Sequence, residues 1–334
     1  MIAVPGTADG LAQTLKHAYG RYACPLYHEG MRSLVLLLAI APSTAFTQTL
    51  LQAKVAAIAK DARGTVSVAC LLPGTTLNCD LHPHNHSPMQ SMFKYPLALT
   101  VLHLADTGKL FPDQRPGEPV NVILDRKVRF LPVDRIPGAY SPLQDRYPDA
   151  NVDVTLRELI QLAAGQSDNG AEETLLRIIG GPAVVQRYIH SLGITAFQLI
   201  DSERDLDRDE SLQYRDWIEP AAAVQLLQSL VHNPPISPEA NTFLIETLTA
   251  SVTGPGRLRA GLPAGIALAH KTGSSGTHGG ITAATNDMGL ITLPDGRKLA
   301  IAVLVTDSRA DEATRDGVIA RIGRAAYDEA IATK

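Results

Sequence analysis

Ser91-Met92-Phe93-Lys94 sets a hydroxyl and an amine three residues apart. If Ser91 begins a helix, that spacing puts both on one face, so that a nucleophile and a proton acceptor touch. The partial positive charge of a helix start favours an alkoxide forming on Ser91 and disfavours a charged Lys94. Pro96 is tolerated so near the start, where its missing N–H can be spared. An S-x-x-K arises by chance about once in a chain of this length, and alone it reads equally as an exposed helix start. Ser167-Asp168-Asn169 precedes a helical stretch, where Asp and Asn also serve as caps. Lys271-Thr272-Gly273, with Ser274-Ser275-Gly276 behind it, follows a strand-like run and reads equally as a strand end and loop. Each pattern occurs once, in the order Ser91, Ser167, Lys271, with helical sequence between the first and the last.

The surrounding elements must bring these residues together. Helical periodicity marks residues 50–62, 91–106, 155–164, 169–179, 183–192, 220–231, 238–248 and 311–330. Strand-like runs 65–72 and 76–81, joined by a turn at Pro73-Gly74-Thr75, predict a hairpin. Further strands are expected at 266–270, 282–293 and 298–305, with a turn at Pro294-Asp295-Gly296. Strands at both ends with helices between them predict an α+β fold. In it an antiparallel sheet flanked by helices is built from residues 46–89 and 252–334, and an all-helical domain, 90–251, is inserted with a cleft at the junction.

With all three patterns in this order, the sequence resembles the class A β-lactamases over nearly the whole chain after residue 45. Gly180-Gly181, Leu262-Pro263 and Thr285-Asn286-Asp287 add to the likeness. Within the class it is most similar to the PER-type extended-spectrum branch, through Gln90 before the nucleophile and the segment from Gln213-Tyr214 to Trp217. The resemblance implies that Ser91 is the nucleophile, that Lys94 helps to deprotonate it, with either Lys94 or Glu203 taking the proton, and that Ser167 and Lys271 relay a proton to the departing lactam nitrogen. It also implies that Asn169 holds the substrate's side-chain amide and Thr272 its carboxylate. The N–H groups of Ser91 and Ser274 would form the oxyanion hole, and Tyr140 would wall the cleft. No cofactor and no metal are implied.

Glu203-Arg204-Asp205-Leu206-Asp207 resembles the family's E-x-x-L-N segment, which makes Glu203 the base for the deacylating water. Without the other patterns it would read as a solvated acidic turn. Asp207 stands where the family has asparagine, so two carboxylates are expected to face one water. The stretch 277–286 lacks the arginine that many class A enzymes use for the substrate carboxylate. Arg257 is the expected substitute, the alternative being a solvated surface arginine. His82, His84 and His86 alternate and on a strand would share one face fit for a metal. Pro83 and Pro88 argue for a loop instead.

The 334 residues, 45% of them apolar, suffice for a sizeable core. A net charge of -4, with both signs scattered, offers no cationic stripe for a phosphate backbone, and nucleic acid is not an expected partner. Residues 1–30 read as an upstream segment, non-native or disordered. Residues 31–45 read as a signal peptide: Arg32, an apolar run 34–41 and the small-residue exit Ser43-Thr44-Ala45. A periplasmic or secreted monomer with no membrane attachment after cleavage is expected. In that oxidising space Cys70 and Cys79 either pair or remain separate buried thiols, while Cys24 would be lost with the leader. A D-Ala-D-Ala peptidase or a penicillin-sensor domain would share the three patterns, and Glu203 is the feature that favours the lactamase.

Overall fold

A run of apolar residues at every position of a strand requires cover on both faces, because successive side chains point to opposite sides. The computed structural model, which describes residues 49–115 and 117–333, meets that requirement. Strand β1 (Thr65–Leu71) comes from one end of the chain, and β2 (Leu268–Ser274), β3 (Ile281–Thr292) and β4 (Lys298–Ser308) come from the other. They form an antiparallel sheet in the order β1-β4-β3-β2, with Thr277–His278 paired to the start of β3. Along β4, Leu299, Ile301, Val303 and Val305 enter one buried cluster, and Ala300, Ala302 and Leu304 enter the other.

Helices α1 (Leu50–Ala59) and α6 (Glu312–Ala332), from the two ends of the chain, cover the first face through Leu51, Val55, Val318 and Ile322. The second face is covered by helices from the middle of the chain. Chief among them is α2 (Lys94–Asp106), buried at every position from Lys94 to Leu102. A helix buried all round lies at the centre of its bundle, and truncating Leu97 or Leu99 there to alanine should cost about 2–5 kcal/mol. Against it packs α3 (Asn169–Ile179), with α4 (Glu203–Arg208) on α3 and α5 (Pro220–Ser229) on the sheet. The inserted region is mainly helical, as expected. It also holds two short ribbons, Lys127–Phe130 with Val152–Thr155 and Phe197–Gln198 with Trp217–Ile218, the second of them joined by Ser87–Pro88 from just before the insertion.

Two expectations need correction. The strand expected at 76–81 does not form; only Leu81 bridges Val68, with paired bonds of 2.7 and 3.0 Å. Side chains take the ladder's backbone groups instead, Asn78 Oδ1 accepting the Asp80 N–H and Asp80 Oδ1 that of Cys70. Of the two cysteine alternatives, the disulfide Cys70–Cys79 is the one formed. The last strand before the cleft, ended at His270 by its apolar pattern, runs on to Ser274 because β3 supplies partners as far as Thr285.

His82, His84 and His86 lie on a loop, as the prolines argued, and not on one strand face. His84 Nδ1 meets Glu219 at 2.8 Å and His86 stacks on Trp217. Among the described residues, the His, Cys, Asp or Glu group close enough for a metal is Cys70, Cys79 and Asp80, whose sulfurs are bonded to each other. No described helix is long and apolar enough to cross a membrane. The leader read at 31–45, the segment 1–30 and Cys24 lie outside the described residues.

Candidate active site

The chain reaches Ser91 through Gln90, held at φ 51°, in a short 3-10 turn (Gln90–Phe93) that leads into α2. β2 comes against this turn only because residue 273 is glycine: a Cβ there would lie 2.1 Å from the Met89 carbonyl oxygen. Asn286 Nδ2 donates to the Pro88 carbonyl at 2.8 Å, a second tie between sheet and turn. Ser91 Oγ donates to Glu203 Oε1 at 2.9 Å. Lys94, fully buried, lies 3.3 Å from the same oxygen and donates to the Ser167 carbonyl at 3.1 Å and to Asn169 Oδ1. A buried ammonium with one carboxylate and two further acceptors is a compensated charge.

Ser167 carries a positive φ of 62°, a conformation few non-glycine residues adopt. It turns the carbonyl toward Lys94 while Oγ accepts from Lys271 Nζ at 3.0 Å. Burial, followed by the nearby Lys94 charge, pushes the Lys271 amine well below the usual lysine range. In Ser167-Asp168-Asn169 the capping alternative holds for the middle residue. Asp168 caps α3 through the Ala171 N–H at 2.8 Å, and also accepts from Ser141 Oγ (2.7 Å) and the Leu143 N–H (2.6 Å). It thereby fixes the loop that follows Tyr140, whose carbonyl accepts the Asn169 N–H at 3.2 Å.

Ser91, Tyr140, Ser167, Thr272, Ser274 and Arg257 line a cleft of about 460 Å³. A smaller cavity of about 160 Å³ shares Asn169, Glu203 and Ser274 with it and adds Asp207 and Ser275. Asp207 lies one helical turn beyond Glu203 on α4 and lines the same cavity. Arg257 is no surface residue, being 5% exposed. Its Nε pairs with Asp316 at 2.8 Å, Nη1 donates to the Gly273 and Asn286 carbonyls, and Nη2 reaches Ser274 Oγ at 2.7 Å. Four of its five donors are thus occupied. Thr272 Oγ1 donates to Thr253 Oγ1 at 2.7 Å, a partner that no sequence pattern had singled out.

Gln90 and Gln213, quoted separately for the PER-type likeness, are hydrogen-bonded to each other at 2.7 Å. Sequence reasoning missed the anchor of the loop that carries Glu203. Glu173 accepts the Arg204 backbone N–H at 3.0 Å and its Nε at 3.3 Å. Nothing in the sequence sets Glu173 apart from a solvated glutamate on the polar side of its helix.

Residues 50–330 match the profile of the β-lactamase enzyme family. The chain is 35% identical to the extended-spectrum β-lactamase PER-1 of Pseudomonas aeruginosa, over 85% of this chain and 88% of the relative. It is 38% identical to a β-lactamase of Bacteroides uniformis, over 73% and 79%. Among solved structures, a β-lactamase from Chitinophaga pinensis superposes with a TM-score of 0.77 at 40% identity, covering 84% of this chain and all of that one. The TLA-1 extended-spectrum β-lactamase superposes at 0.78 with 35% identity, over 84% and 98%.

Proposed function

The chain belongs to the β-lactamase enzyme family, in class A and its PER-type branch, and hydrolyses β-lactams through a serine acyl-enzyme, and from that membership we propose how its residues divide the reaction. Ser91 Oγ attacks the lactam carbonyl and its proton passes to the Glu203–Lys94 pair. The N–H groups of Ser91 and Ser274 hold the oxyanion, each such donor being worth about 3–4 kcal/mol in a transition state. Ser167 Oγ protonates the departing nitrogen and is reprotonated through Lys271, whose depressed basicity suits it to give up a proton. Asn169 holds the side-chain amide, and Tyr140 closes one wall. Thr272 and Ser274 take the substrate carboxylate, with Arg257 acting beside Ser274. Glu203, with Asp207 lining the same cavity, activates the water that releases the product.

The observation that carries this reading is the single oxygen, Glu203 Oε1, placed 2.9 Å from Ser91 Oγ and 3.3 Å from Lys94 Nζ. A D-Ala-D-Ala peptidase or a penicillin sensor has no need of a carboxylate on its nucleophile. The names of PER-1 and TLA-1 support oxyimino cephalosporins among the substrates. The Cys70–Cys79 disulfide supports export through the leader at 31–45 to the periplasm or medium. Glu203→Gln tests the central assignment, since glutamine keeps the shape but cannot take a proton from water. With benzylpenicillin, intact-protein mass spectrometry should show the variant carrying one drug mass while the wild type is nearly free. A general base contributes about 10²- to 10⁴-fold, and a variant turning over at the wild-type rate would remove Glu203 from that role.

A further inference from the structure

The segment that carries Glu203 is closed at its base by two aspartates. Asp216 Oδ1 accepts the backbone N–H groups of Ile200 at 2.7 Å and Asp201 at 3.2 Å, tying the end of the segment to its beginning. Both side chains lie inside the protein, Asp201 7% and Asp216 3% exposed. Asp216 Oδ2 is buried with no partner, and Asp201 Oδ2, without a hydrogen bond, has only the ion pair to Arg215. The charges bearing on the pair are Arg215, whose half-exposed guanidinium lies 3.3 Å from Asp201 Oδ2, and Asp205. The ribbon beside them, Phe197–Gln198 and Ser87–Pro88 against Trp217–Ile218, brings no ionisable side chain. Asp216 also touches the nucleophile's approach, since its carbonyl accepts the Met89 N–H at 3.0 Å.

Two buried carboxylates cannot both ionise cheaply, and an orphaned carboxylate oxygen costs its full desolvation. One proton relieves both penalties. We infer that Asp201 and Asp216 hold a single proton between them, that this closes the base of the Glu203 segment, and that Asp216 is a positioning residue for deacylation. Burial pushes the Asp216 carboxyl up to about 7 and raises Asp201 as well. Because the folded value lies above the ordinary 3.8, the protonated form favours the fold. Its contribution is complete below about pH 4 and is lost as pH rises through about 7. Above that, like charges face each other at the base of the segment and Glu203 loses its place over the acyl bond, while attack by Ser91 continues with Lys94 as the remaining proton acceptor of the pair. This rests on Glu203 being the deacylating base.

The test compares wild type, Asp216→Asn and Asp201→Asn between pH 5.5 and 9. It measures deacylation of benzylpenicillin by stopped flow, and melting temperature without substrate. Asparagine supplies a permanent N–H donor in place of the proton. Wild-type deacylation should fall about tenfold for each pH unit above the midpoint, with acylation falling less because Lys94 can still take the Ser91 proton, and both variants should lose the deacylation limb. Wild-type melting should fall relative to Asp216→Asn across the same window. A limb retained in Asp216→Asn, or a wild type flat through pH 7, overturns the inference. If Glu203→Gln fails to trap the acyl-enzyme, the base assignment is what has failed. The melting comparison then decides the clasp alone: a difference with a midpoint near 7 upholds it, and parallel curves reject it.

Discussion

Ser91 Oγ and Lys94 Nζ converge on one oxygen of Glu203, at 2.9 and 3.3 Å. The serine proton already points at a carboxylate whose charge is balanced by the lysine. In a site shielded from water such an arrangement is held in place before the reaction begins, which is where most electrostatic catalysis originates.

Ser91→Ala should therefore remove both turnover and covalent labelling, because the acyl bond is made to its oxygen. Removing a hydroxyl from a short turn leaves Lys94 and Glu203 paired, so the melting temperature should change little. Penicillin mass found on the purified variant would place the nucleophile elsewhere.

Arg257→Ala should raise KM for carboxylate-bearing substrates, by about 10- to 100-fold if one charge-assisted bond of roughly 1.5–3 kcal/mol is lost. The side chain also joins Asp316 to the carbonyls of Gly273 and Asn286, so the variant should melt lower than the wild type. A substrate analogue with its carboxylate esterified separates the two effects. If it shows the same rise in KM, Arg257 acts through the fold and not on the carboxylate.

The patterns were legible because the chemistry demands fixed residue types at fixed spacing, although Ser91 sits in the 3-10 turn ahead of α2 and meets Lys94 through Glu203 Oε1. The sheet was legible where the apolar run was unbroken, as in 298–305. It was not legible at Lys271-Thr272-Gly273, where polar residues continue a strand only because β3 lies alongside. The arm at 76–81 failed because Asn78 and Asp80 capture backbone groups locally, a competition that β propensity does not register. Arg257 could be found by elimination, but not the number of its donors already taken. Asp201, Asp216 and Glu173 were invisible because each depends on a juxtaposition across the chain, and a carboxylate in a sequence carries no mark of being buried.

Glu172 is the same problem in its extreme form. It lies on α3 one turn beyond Asn169, fully buried, with neither carboxyl oxygen hydrogen-bonded. Burial pushes its carboxyl well above the ordinary value of 4.5, and the Glu173 and Glu203 charges add to the rise while Lys94 and Arg204 oppose it. The neutral form is therefore the one the fold prefers. Its contribution to stability is complete below about pH 4.5 and is progressively lost as pH rises toward the folded value. Glu172→Gln removes that dependence, because an amide does not titrate, though it must bury an N–H₂ at a pH-independent cost of about 1–3 kcal/mol. The melting temperature of the variant should thus gain on the wild type as pH rises from 4.5. Each pH unit within the window is worth about 1.4 kcal/mol, roughly 2 °C for a domain of this size. Melting curves at half-unit steps from pH 4 to 8 measure this directly. A difference that stays constant over the range would mean that Glu172 is ionised in the folded protein, with a counter-charge or water reaching it.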